Sequence, residues 1–524
     1  MATEIKSRMN GKSIYIISIA AALIHTLISF VWDKGTFVFP QEDSAAYGIA
    51  LFDYAVCKLL TFIALYFIYR YIVVMIMPGR RESLAYKITL KALPYLAVIV
   101  LVAAIKLPQG FLTNDEASIY NDAVNLTHST WFNILTSYYY TVSLMIAPFK
   151  YSPIIFKIII EFFVIGYIVL RSCNHFGNKI GCISYILFLL YPVIAYTTSA
   201  HRLPIYFLLY LLLFGKMFFD HVKKEDAPDV LGSDFPTMIW MLLLGAVLTQ
   251  WRTEGIYLSV LVPLLMLIVY GRHELKTRSV VRLIAAALIA QAIVAIPQNI
   301  FSSAALDDAA NDRMKPFWAY TITNMYRNGL DLEANKEDLE IVDKYLSLDT
   351  IRDINEHYGD INYEDVLILY QEGFVGVREE ATVKEFTDYT DALKRIFINN
   401  PGVFMRTRFG AFNYAATPYD IDFAEGGIKG FIKGCISIVK AVLYNLYIPL
   451  MIFAVLLVYS LFKKNWFDFF TAGGLICHWF IVFILAPASY FKYYFPVYIM
   501  AYFYAVIAAE KIISERLRMR SLHI

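Results

Sequence analysis

The amino-acid sequence predicts an all-α, polytopic membrane protein with about 12 transmembrane helices and one small, mainly helical extracytoplasmic domain. Three observations predict it. Of 524 residues, 59% are hydrophobic and only 17% charged, whereas a soluble domain of this size carries nearer a quarter charged residues to meet water. Apolar runs long enough for a bilayer recur along the chain. Lys and Arg gather in every second loop, the signature of cytoplasmic connections.

The first run, 13–31, follows Lys6, Arg8 and Lys12 and so resembles a secretory signal. It is long enough to span, and another apolar helix follows closely, so it reads as a retained anchor. With 55–77 it makes an N-terminal pair within residues 1–91. The core, 92–297, holds runs at 92–106, 152–170, 180–199, 203–219, 237–250, 256–270 and 280–297. The runs at 237–250 and 256–270 are short and suit a hairpin that stops short of a full crossing. Runs at 436–461, 467–486 and 493–511 complete the set, in a C-terminal part of 435–524 that ends in a basic tail.

Basic clusters stand at the N-terminus, at Arg80 to Lys91, at Arg171 and Lys179, at Lys223-Lys224, at Arg272 to Arg282, at Lys463-Lys464 and at Arg516 to Arg520. Both termini are therefore expected in the cytoplasm of a multi-pass cell-membrane protein. Two segments then fall outside: the loop 107–152 and the stretch 298–434. Within the latter, residues 307–391 hold 21 acidic and 8 basic residues, an acidic module with a helical pattern. The net charge of +2 gives no reason to expect a nucleic-acid partner. The five cysteines show neither C-x-x-C nor metal-like spacing, so neither a disulfide framework nor a zinc site is expected.

Chemistry-bearing residues concentrate at the outer ends. Asn114-Asp115-Glu116 opens the loop 107–152; adjacent carboxylates suit a general base or a divalent cation. The plainer reading has Asp115 capping a short helix and Glu116 facing water. Residues 131–149, rich in aromatics, read as an amphipathic helix at the interface. His201-Arg202, Trp251-Arg252-Thr253-Glu254 and Lys492 each put a cation at the outer boundary. Singly, each reads as a snorkelling side chain; together, opposite a carboxylate pair, they suit an anionic phosphate. Tyr138-Tyr139-Tyr140, Tyr490, Tyr493 and Tyr494 have the faces to stack on sugars, though interfacial tyrosines are ordinary. Arg406 and Arg408 follow Asn400-Pro401 and are candidates for a surface or acidic-substrate contact.

The order of these pieces resembles the GT-C family of membrane glycosyltransferases. Asp115-Glu116 stands in the first large outer loop, as the family's acidic pair does, followed by Tyr120, Ala123 and His128. Where that family often has His-Pro-Pro, this chain has His128-Ser129-Thr130. His201-Arg202-Leu203-Pro204 resembles the family's outer turn, Trp251-Arg252-Thr253-Glu254-Gly255 an Arg-Pro-Glu-Gly-like turn, and Phe491 to Pro496 an Arg-Tyr-x-x-Pro element with Lys492 for Arg. The stretch around Thr323 to Asp331 and Asn400-Pro401 looks like the outer domain of bacterial members. The resemblance covers roughly 90–510 and leaves the N-terminal pair as an addition.

It implies an inverting transfer from a polyprenyl-phosphate-linked sugar to a cell-envelope glycan, lipid or protein at the outer face. Asp115 would be the base, with Glu116 supporting or exchanging roles. His201, Arg202, Arg252 and Lys492 would hold the phosphate, with Glu254, Tyr120 and Tyr493 in support. No cofactor is implied; a divalent cation at Asp115 and Glu116 is the one such group those residues suit. Two other classes stay open: a polysaccharide polymerase or ligase using a diphosphate-linked oligosaccharide, and a lipid-linked-sugar flippase or secondary transporter.

Overall fold

The computed structural model describes residues 11–41, 44–77, 80–106, 114–128, 132–197, 202–223, 228–231, 234–271, 277–304, 318–357, 376, 378, 382–419, 427–486 and 489–522. The chain divides into two compact units, Met1–Ala304 with Ile499–Ile524, and Ala305–Tyr498.

In the first unit the helices are α1 (Gly11–Thr36), α2 (Ala45–Ile76), α3 (Leu84–Lys106), α4 (Asn114–Asn125), α5 (Ile134–Ile146), α6 (Ser152–Phe176), the short α7 (Asn178–Gly181), α8 (Tyr185–Leu189), α9 (Tyr191–Thr197), α10 (Leu203–Val222), α11 (Phe235–Trp251), α12 (Leu258–Tyr270) and α13 (Thr277–Ala304). The second unit holds α14 (Ala319–Arg327), α15 (Lys336–Asp343), α16 (Leu348–His357), α17 (Val383–Asn399), α18 (Pro401–Ala416), α19 (Gly427–Leu443), α20 (Tyr447–Phe462) and α21 (Trp466–Leu485). A last helix, α22 (Phe495–Leu522), runs from the second unit into the first.

Among the described residues ten helices are long and apolar enough to cross a membrane, or eleven if one bent pair is a single span. The protein is thus a multi-pass membrane protein. The bent pair is the expected crossing at 180–199: Asn178–Leu189 and Tyr191–Thr197 meet at 65°. Leu190 between them is extended (ψ 130°), and Pro192 has no N–H with which to continue the helical ladder. The run at 237–250 becomes the 17-residue α11, shorter than a full span, while 256–270 sits in a helical stretch, Thr253–Tyr270, that qualifies.

The exposed apolar surface of α1, α2 and α3 is large, as lipid-facing helices require, whereas α10 is buried almost throughout. Close packing of α3 on α6 depends on Gly166, where a Cβ would lie 2.3 Å from the Ile88 carbonyl oxygen. The two N-terminal helices pack on one another and on α5. Lys58 on α2 pairs with Asp33 on α1 and donates to Ser29 Oγ (2.5 Å), and Tyr54 donates to Asp33 (2.5 Å). Trp32 and His25 of α1 bond the Met145 and Ile146 carbonyl oxygens of α5 (3.2 and 3.1 Å).

Within the acidic stretch 307–391, the described residues form α14, α15, α16 and the start of α17. Its core gathers Tyr320, Ile322 and Met325 of α14, Leu339 and Val342 of α15, Ile351 of α16, Tyr389, Leu393 and Ile396 of α17, and Ala411 of α18. Arg408 does not reach out towards a membrane surface. It is 1% exposed, and its guanidinium donates to the carbonyl oxygens of Phe483 (2.5 Å) and Ala486 (3.0 Å) at the end of α21. There a cation meets the negative end of the helix and satisfies carbonyls that have no partner within it.

Candidate functional site

The site is built around α5. Its N-terminus is capped twice: Asn133 Oδ1 accepts from Leu135 N–H (3.0 Å), and Gln298 of α13 accepts from Ile134 N–H (2.8 Å). Nine of its residues are buried, on nearly every side. It is a packed helix, not the surface-lying amphipathic one that its aromatics suggested. Consecutive residues on a helix point about 100° apart, and Tyr138, Tyr139 and Tyr140 use this to reach three elements. Tyr138 donates to Asp53 on α2, Tyr139 to the Pro153 carbonyl of α6, and Tyr140 to Glu116 Oε2 on α4 (3.1 Å). All three hydroxyls are committed to protein, and Tyr138 and Tyr140 are buried, so neither of those two rings offers an open face to a sugar.

Glu116 is fully buried. Besides Tyr140, it accepts the backbone N–H of Arg202 (3.0 Å), and the Arg202 guanidinium stands 3.5 Å away. Burial first, and the Glu116 charge second, push the Tyr140 phenol well above its usual range. Phe132 covers the other side of Arg202, its ring centre 3.8 Å from the guanidinium carbon. The carboxylate thus ties α4 to the turn that opens α10 and sets the plane of Arg202. The plainer expectation, Glu116 in water, is not met.

The donor set around Glu116 does not fit a metal ion: its oxygens face N–H and O–H donors, and a guanidinium would repel a second cation there. Asp115 lies in the first turn of α4, but its side chain is outside the described residues, as is His201. Tyr120, one turn beyond Glu116 on α4, is half-buried.

Arg252 follows α11. Its Nε donates to Glu254, which also accepts from Thr253 Oγ1 (3.3 Å), so Glu254 orients Arg252. Gly255 makes the turn possible, since a Cβ there would lie 2.4 Å from the Leu248 carbonyl oxygen and 3.1 Å from the Tyr206 hydroxyl. Behind the turn, Gln250 donates to the Gln291 carbonyl (2.8 Å) and Gln291 to Thr249 (3.1 Å), fixing α11 to α13.

The two Arg–Glu pairs belong to one end of the unit. Tyr140, bonded to Glu116, has its ring 5.7 Å from Tyr139, whose ring is 6.4 Å from Trp251, the neighbour of Arg252. Lys492 belongs to the second unit, where its ammonium stands over the rings of Tyr490 (4.5 Å) and Tyr493 (5.9 Å).

No family model matches the chain. Neither a curated protein nor a solved structure matches it.

Asp53, absent from the residues that the sequence marks as candidates, makes a buried cluster with Tyr138 and His128. His128 Nε2 lies 2.6 Å from Asp53 Oδ2, and the His128 and Tyr138 rings are 5.9 Å apart. This cluster fastens α2 to the segment that leads from α4 to Phe132. Its signal in the sequence is an Asp two residues before the apolar run 55–77, where a carboxylate is costly unless it is paired or used.

Proposed function

We propose that the protein is a membrane glycosyltransferase that moves a sugar from a polyprenyl-phosphate donor to a cell-envelope acceptor at the extracytoplasmic face, with inversion. The observation that carries this reading is the pairing of Glu116 with Arg202 and of Glu254 with Arg252, linked through Tyr139, Tyr140 and Trp251. Two oriented guanidiniums at helix ends, each with five N–H donors, suit a phosphate whose prenyl tail stays in lipid.

In this reading the acceptor hydroxyl attacks the anomeric carbon and gives its proton to Asp115. The carbon–oxygen bond to phosphate breaks, and Arg202 and Arg252 neutralise the departing polyprenyl phosphate. Glu116 is a positioning residue that holds the Arg202 turn. A second reading, a lipid-linked-sugar transporter, is favoured by the span broken at 65° near Leu190.

The test uses full-length protein in lipid vesicles with polyprenyl-phosphate-linked sugars and candidate acceptors. Release of free polyprenyl phosphate that falls at least 100-fold in Asp115→Asn, on the order of a general base's contribution, supports the transferase. Sugar–lipid crossing the vesicle wall with no bond broken refutes it.

A further inference from the structure

Glu161 lies on α6 nine residues beyond Ser152, about 14 Å along the helix. It is 0% exposed, and neither carboxylate oxygen has a hydrogen-bond partner among the described residues. Its polar neighbours direct their donors elsewhere. Lys157, one turn earlier and 2% exposed, donates to the Tyr196 carbonyl (3.5 Å). Helical side chains lean towards the helix start, so Lys157 leans away, and Lys before Glu is the weaker order for an i,i+4 pair.

From α9, Thr197 approaches Glu161, but its hydroxyl is directed at the Val193 carbonyl (2.6 Å). From α3, Tyr95 faces the carboxyl and donates to the Phe188 carbonyl (2.6 Å). The Tyr139 hydroxyl of α5 is committed to Pro153, and Asp220 and Lys216 of α10 meet at Arg171, ten residues further along α6. Desolvation disfavours an ion in such a place, and the two described groups that favour the charged form, the Lys157 ammonium and the Thr197 hydroxyl, give their hydrogen bonds to backbone carbonyls.

We propose that Glu161 is a proton-binding site within the membrane, its carboxyl carried as the neutral acid and its proton exchanging with water. The only ligand is a proton, and the inference is independent of the proposed transferase chemistry.

Infrared difference spectroscopy on the full chain in lipid nanodiscs tests it without a substrate. Subtracting Glu161→Gln from the parent at neutral pH is expected to leave one carbonyl band of a protonated carboxyl, shifting in D2O as the proton exchanges. Glu161→Asp, which keeps the acid but moves its frequency, gives the same subtraction should the Gln variant not accumulate. In Lys157→Met the band is expected unchanged. Absence of the band in the parent, its appearance only when Lys157 is removed, or a band unmoved by D2O would each overturn the proposal.

Discussion

Replacing Glu116 with Ala removes one fully buried acceptor from two donors at once, the Arg202 backbone N–H at 3.0 Å and the Tyr140 hydroxyl at 3.1 Å. Hydrogen bonds to an ionised group contribute roughly 1.5–3 kcal/mol each, so the pair amounts to about 3–6 kcal/mol. The guanidinium contact adds little, being 3.5 Å long and made to a side chain that is 15% exposed. At about 2 °C per kcal/mol for a unit of this size, the unfolding midpoint should fall by about 6–12 °C. Glu116→Gln keeps one acceptor oxygen and should lose about half as much. The assay is tryptophan-fluorescence melting in lipid nanodiscs, run as a cycle with Tyr140→Phe. Because the two side chains touch, the cycle should show a coupling of about 0.5–3 kcal/mol. A Glu116→Ala midpoint within about 1 °C of the parent, or strictly additive losses, would refute the buried tie between α4 and the α10 turn.

Four further outcomes follow from the same geometry. Gly255→Ala, whose Cβ would lie 2.4 Å from the Leu248 carbonyl oxygen, should displace the Arg252 turn and cost about 1–3 kcal/mol, read by melting. Arg408→Met should destabilise the second unit by about 3 kcal/mol, since it orphans carbonyls at the end of α21; faster limited proteolysis would report it. Lys58→Met should cost about 3–5 kcal/mol by leaving the Asp33 carboxylate buried without its cation, whereas the Asp33→Leu, Lys58→Met double variant should recover most of it in melting. At the start of α17, bonds from the Thr382 backbone N–H and hydroxyl hold the Glu385 carboxyl below its usual range. A lowered folded value stabilises at neutral pH and is lost as pH falls through it, so the hydrogen-exchange protection of Val383–Asn399, taken relative to the intrinsic exchange rate at each pH, should fall on acidification, and less so in Thr382→Val.

The class of fold was legible because lipid forbids scattered charge, and the helices fall where the apolar runs are. The turn residues were legible too: Arg202, Arg252 and Glu254 announced themselves as charges at helix ends. What the sequence concealed was partnership. Nothing in the spacing of Glu116 and Arg202, 86 residues apart, says that one accepts the other's backbone N–H. Tyr138 to Tyr140 looked like one aromatic patch, since periodicity identifies a face only when the neighbours lie on one side. The ionisable residues within or just beside the apolar runs, Lys58 and Glu161 inside them and Asp33 and Asp53 two residues outside, carry a cost in hydrocarbon that marks them.

The tyrosine triplet of α5 has a consequence for how this stretch tolerates change. A substitution at Tyr138, Tyr139 or Tyr140 severs one tether and leaves two. Inserting or deleting a single residue between Asn133 and Tyr138 instead turns all three hydroxyls by about 100° and detaches α2, α4 and α6 together. The helix acts as a key with three teeth, indexed to a single rotational setting. Point replacement should therefore be survivable here, one position at a time, where a change of length is not.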